Sequence, residues 1–174
     1  MPRYVALLRG VNVGGKHSVP MAKLRAEFES LGHTDVATYI QSGNVVFTTK
    51  RAVTPAALEK ALASKFGFAI PVVLRTRPEL ARIVKGDPFT KADRAKVHVG
   101  FMAKKPTAAA VKAVDAERFA PEELKVKGCE IYYHLPNGMG RAKLPVAVDR
   151  ALKIPTTVRN WNTVTKLLTL LQDG

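Results

Sequence analysis

The chain predicts an α+β fold made by duplicating one β-α-β-β-α-β unit, on three observations. Strand-like and helix-like patterns follow one another in that order twice across its 174 residues. Two hairpin glycines correspond, Gly43 in the first half and Gly128 in the second. The segment Ile70-Pro71-Val72-Val73-Leu74-Arg75 recurs as Ile154-Pro155-Thr156-Thr157-Val158-Arg159 at almost the same separation.

Each element has its own local reason. Arg3 to Arg9 is β-rich and mostly apolar, which suits a central, covered strand. Met21, Leu24, Phe28 and Leu31 fall at helical spacing, and Gly32 ends that helix. Val36 to Gln41 and Asn44 to Thr49 are strands joined at Ser42-Gly43. Thr54-Pro55 starts a helix with Thr as N-cap and Pro at the first helical position; Leu58, Leu62 and Phe66 form its inner stripe, and Gly67 closes it. Ile70 to Arg75 is the fourth strand, and Thr76 with Glu79 makes a capping box for a trailing helix carrying Leu80, Ile83 and Val84.

The second half repeats the order. It runs through a strand (Lys96 to Ala103), a helix (Thr107 to Glu117), and a hairpin of Leu124 to Lys127 with Glu130 to Leu135. A helix (Arg141 to Leu152), a short strand (Pro155 to Val158) and a last helix (Trp161 to Leu171) complete it. This is the ferredoxin-like unit twice, each copy followed by an extra helix. The expected subdomains are residues 1–90 and 91–174, joined around Gly86 to Arg94.

The first strands, Tyr4 and Val97, lie several residues further apart than the other matched pairs. The excess falls in Arg9-Gly10-Val11-Asn12-Val13-Gly14-Gly15-Lys16-His17-Ser18, a loop the second half lacks, and long connections in compact domains tend to be functional. Glycines free its backbone, Arg9 and Lys16 supply charge, and successive amides in such a loop form an anion-binding nest. The topology brings the hairpin turn to the same end, so Arg9, Asn12, Gly14, Gly15, Lys16, Gln41, Ser42 and Asn44 are the candidate ligand-binding residues there. The plainer alternative makes Ser42-Gly43 a turn and Asn44 its cap. A second anion-friendly cluster is expected where Arg141 and Lys143 approach Arg159 and Asn160, with Asn160 or Asn162 capping the last helix.

Composition bounds the function. The chain is 47% apolar and carries 28 Lys+Arg against 14 Asp+Glu, a net charge of +14 spread over both halves. Such charge draws phosphates and nucleic acid. A lone Cys129 excludes an internal disulfide, the start lacks a signal-peptide pattern, and no apolar run is long enough to span a bilayer. A cytoplasmic location without membrane attachment is expected. The scattered histidines and Cys129 lack metal-ligand spacing, and neither a metal nor a cofactor is expected.

Gly10 to Lys16 fits G-x-x-x-x-G-K, but His17 stands where a P-loop needs Ser or Thr, and Pro20 keeps Lys16 away from the helix start. The aromatic signature of an RNA-recognition sheet is missing as well.

Tyr4 to Lys16, Tyr39 to Phe47, Gly140-Arg141-Ala142-Lys143-Leu144 and Thr157 to Val164 resemble the family known as domain of unknown function 1697. The resemblance implies a bacterial-type cytosolic protein of two ferredoxin-like subdomains and carries over no reaction, cofactor or catalytic residue. The residue set itself suits binding of a phosphate-bearing small molecule or a nucleic-acid backbone. A transferase or hydrolase acting on a phosphorylated small molecule, with His17 as its titratable group, and a purely structural protein are the alternatives.

Overall fold

A computed structural model of the chain describes residues 1–173. Eight strands are seen among the described residues: β1 Arg3–Leu8, β2 Thr34–Thr38, β3 Asn44–Thr48, β4 Val72–Thr76, β5 Val97–Met102, β6 Glu123–Lys127, β7 Glu130–His134 and β8 Thr156–Asn160. The α-helices are α1 Met21–Ser30, α2 Pro55–Phe66, α3 Arg77–Lys85, α4 Ala108–Ala113, α5 Leu144–Leu152 and α6 Trp161–Gln172. Two sheets form, ordered β2-β3-β1-β4 and β6-β7-β5-β8, with every pairing antiparallel. The fold is a duplicated ferredoxin-like α+β fold. By compactness the chain divides into unit 1, Met1–Arg82 with Lys166 onward, and unit 2, Ile83–Thr165.

In unit 1 the central strand β1 is fully buried from Val5 to Leu8. Ala6 and Leu8 face Leu24 and Phe28 of α1 and Leu58 and Leu62 of α2 in one core. In unit 2, Met102, Ile131 and Tyr133 meet Leu144, Val148 and Leu152 of α5. The two copies agree down to single bonds. The chain leaving β1 is held by Leu8 N to Gly43 O at 2.8 Å and Arg9 N to Pro71 O at 3.0 Å. The chain leaving β5 is held by Met102 N to Cys129 O and Ala103 N to Pro155 O, both 2.9 Å. Beyond these paired anchors the copies diverge, residues 9–20 leading to α1 and residues 103–107 to α4.

The expected caps form. Thr54 Oγ1 accepts from Ala57 N at 3.2 Å, with Pro55 opening α2 and Gly67 ending it in the left-handed region. Thr76 N donates to Glu79 Oε2 at 2.8 Å, and Glu79 N donates back to Thr76 Oγ1 at 3.3 Å.

Other elements depart from expectation. α1 stops at Ser30, and Leu31, at its C-cap, is 42% exposed. The β2–β3 connection is Tyr39–Gly43, longer than a Ser42-Gly43 turn, since β2 ends at Thr38. Where one helix was expected from Thr107 to Glu117, α4 ends at Ala113, Asp115 turns left-handed, and a separate 3₁₀ turn covers Ala116–Phe119. α5 starts at Leu144, leaving Arg141 in a 3₁₀ turn ahead of it. Pro145 sets that limit: it lacks an N–H and its ring clashes with a helical carbonyl four residues upstream, at Arg141.

Candidate functional site

The glycine loop folds as a miniature hairpin. Val13 and Lys16 form an antiparallel bridge, Asn12 N donates to His17 O at 3.0 Å, and Lys16 N donates to Val13 O at 3.0 Å. Gly14 and Gly15 occupy the tip with φ of +57° and +73°, the positive pair that a type I′ turn demands. Nothing lies within 4 Å of where a Cβ would stand on either, so both glycines answer to backbone conformation and leave open space around the tip. Their amides have no acceptor among the described residues. Gly14, Gly15 and Lys16 are exposed.

Asn12 anchors this hairpin. At φ +55° it sits left-handed, a conformation asparagine tolerates better than most residues. Its Nδ2 donates to Val19 O at 3.0 Å and to Gln41 O at 2.7 Å, and its Oδ1 accepts from Val19 N at 2.8 Å. Asn12 therefore joins the hairpin both to the start of α1 and to the β2–β3 turn.

The turn is equally constrained. Asn44 is fully buried and donates through Nδ2 to Tyr39 O and to Ser42 Oγ, both at 2.9 Å. Gly43, at φ +87°, lies so close to β1 that a Cβ would stand 2.8 Å from both Leu8 Cβ and Val11 Cγ2. Ile40 is left-handed at φ +50° and 49% exposed, an unusual conformation for a β-branched side chain. Thus the loop and the turn meet at one end of unit 1, while the side-chain amides of Asn12 and Asn44 are occupied in building it. The Gln41 side chain is exposed.

α1 begins at the same end. Pro20 at its N-cap provides no side-chain bond, and no acidic residue lies in the first turn. The partial positive charge of its leading amides is unanswered by any carboxylate of that turn. His17, left-handed at φ +53°, stacks its ring on Phe68 with centroids 4.4 Å apart and planes 17° from parallel.

The second cluster disperses. Lys143 is the N-cap residue of α5, and the helix end is taken by the protein's own carboxylate. Glu122 accepts from Lys143 N at 3.1 and 3.2 Å and from Leu144 N at 3.0 Å. Arg141 and Lys143 line a groove with Arg118, Glu122 and Asn137, which Arg159 and Asn160 do not enter. Arg159 is 7% exposed and donates through Nη1 to Thr157 Oγ1 at 2.6 Å and Val158 O at 3.0 Å. Burial lowers its pKa to about 10, which leaves it charged at neutral pH. Its counterpart Arg75 makes the same bond to the preceding carbonyl, Leu74 O at 2.8 Å. Asn160 caps α6, its Oδ1 accepting from Thr163 N at 2.8 Å. Among the described residues no group of three or more His, Cys, Asp or Glu is placed to hold a metal ion. No helix of the described residues is long and apolar enough to cross a membrane.

Residues 1–132 match the family described as "Protein of unknown function (DUF1697)". The chain belongs to the DUF1697 family. The matched span holds the Asn12–His17 hairpin and the Tyr39–Gly43 turn; the Gly140–Leu144 and Thr157–Val164 motifs lie outside it. A solved structure of a conserved bacterial protein from Streptococcus pneumoniae is similar over 99% of both chains, with 27% identity and a TM-score of 0.75. No curated protein matches the sequence.

Within this DUF1697 chain, sequence reasoning missed three features of the end that carries the hairpin. The His17–Phe68 stack joins residues too far apart for local periodicity to pair them. The strain at Ile40 follows from a β2 that ends earlier than its apolar pattern suggests. Gly43 carried a usable signal, since a glycine beside a buried strand marks close backbone approach.

Proposed function

We propose that the protein binds a phosphate-bearing anion at the hairpin end of unit 1. The observation that carries this reading is the exposed Lys16 beside two exposed glycine amides without acceptors, at the end where α1 starts without a side-chain cap. Backbone amides and a helix N-terminus favour an anion, and a lysine adds a mobile charge. Arg9 supplies a second cation from the base of the loop. Asn12 and Asn44 shape the site, and Gln41 lies at its edge. The second expected place is weaker, because Glu122 already fills the α5 terminus. The net charge of +14 extends the reading to polyanions, including a nucleic-acid backbone. The same reading places the protein in the cytoplasm, where a lone Cys129 stays reduced.

The test is a thermal-shift panel of nucleotides, sugar phosphates and short oligonucleotides, since a ligand preferring the native state raises its stability. Wild type gains stability with at least one of them, and Arg9→Ala combined with Lys16→Ala loses that gain while remaining folded. Equal gains in the double mutant and the wild type would remove the hairpin as the site.

A further inference from the structure

We infer that the anion held at the hairpin belongs to a nucleotide unit whose base stacks on His17; this rests on the anion-binding reading of the same hairpin. The decisive arrangement is the His17 ring lying parallel to Phe68 at 4.4 Å while His17 remains exposed. Phe68 packs against the unit 1 core, so it is a fixed platform. One face of the imidazole is covered by it, which leaves the opposite face as the place a ligand ring would take. A planar base laid there extends an existing stack, the mode by which histidine and other aromatic side chains hold unstacked bases. Lys16 and His17 are consecutive, with Cα atoms about 3.8 Å apart, so the charge and the ring are carried by the same hairpin arm. The pairing of Asn12 with His17 fixes the backbone from which the ring projects. The apolar Val13, 63% exposed, adds contact surface beside Lys16 without hydrogen-bond readout, which suits recognition tolerant of base identity.

Fluorescence anisotropy with three ligands tests this: a single-stranded oligonucleotide, an abasic strand carrying the same number of phosphates, and a mononucleotide. His17→Asn removes the ring and tolerates the left-handed backbone, whereas His17→Phe keeps a stacking surface. Wild type binds the base-bearing strand about 5-fold or more tighter than the abasic strand. His17→Asn abolishes that difference, His17→Phe retains it, and Lys16→Ala weakens both strands alike. If the mononucleotide shows the same dependence on His17, the source is a free nucleotide; if only the strand does, it is single-stranded nucleic acid. Equal binding of base-bearing and abasic strands by wild type overturns the stacking inference while leaving the anion site standing. Failure to bind any of the three, with no effect of Lys16→Ala, removes both.

Discussion

The side-chain amide of Asn12 donates to the Gln41 carbonyl at 2.7 Å, joining a loop after the first strand to a turn after the second. One side chain thereby ties the glycine hairpin to the turn at this end of the unit. Its two donated bonds and one accepted bond make it the keystone of the hairpin.

Asn12→Ala removes these bonds and places alanine in the left-handed region. A loss of about 2–4 kcal/mol is expected from unmade hydrogen bonds and backbone strain together. Asn12→Gly relieves the strain alone and should recover about 1 kcal/mol of it. Urea denaturation of the two variants separates the contributions.

Gly43 and Gly15 share a positive φ but differ in surroundings. Gly43→Ala drives a methyl against Leu8 and Val11 and is expected to cost about 2–5 kcal/mol. Gly15→Ala meets open space and costs only the backbone strain, about 1–2 kcal/mol. Midpoints of chemical denaturation should rank wild type, Gly15→Ala and Gly43→Ala in descending order.

Glu122 stands at the α5 N-terminus in place of an external anion. Glu122→Ala should destabilise unit 2 by about 0.5–2 kcal/mol, the usual value of a helix N-cap. With those amides released, added sulfate should stabilise Glu122→Ala more than it stabilises wild type. The measurement is the difference in thermal midpoint with and without sulfate for both proteins.

His98 is 7% exposed and its Nδ1 has no hydrogen-bond partner among the described residues. Desolvation holds its pKa below 6.5; the Lys96 charge adds to that, and a bond to the Lys96 backbone partly opposes it. Burial shifts His33 in the same direction. A base with a depressed folded pKa binds more protons when unfolded, so its contribution is complete above pH 6.5. That contribution is lost as pH falls from there through the folded pKa. Stability followed by urea denaturation should decline on acidification below pH 6.5, and His98→Gln should flatten part of the decline.

Much of the fold was legible because its signals are local. The Thr54 cap, the Thr76–Glu79 capping box and the Asn160 cap each involve residues within one helical turn of one another. The duplicated segments pointed to the repeat, and their matching was reproduced in paired backbone bonds around Pro71 and Pro155. The end of unit 1 was partly legible, since strand order alone puts the glycine loop beside the hairpin turn. The second cluster was not: Arg141 and Lys143 lie in a groove, whereas Arg159 is buried in its sheet.

By itself, the sequence determined the duplicated β-α-β-β-α-β order, its caps and the extra loop in one copy, because periodicity and capping act within a few residues. Only the tertiary structure decided that the loop is a type I′ hairpin tied down by Asn12, that His17 lies on Phe68, and that Glu122 closes the α5 end. Those outcomes depend on which distant groups meet and which hydrogen bonds remain to be made, and no local pattern encodes that.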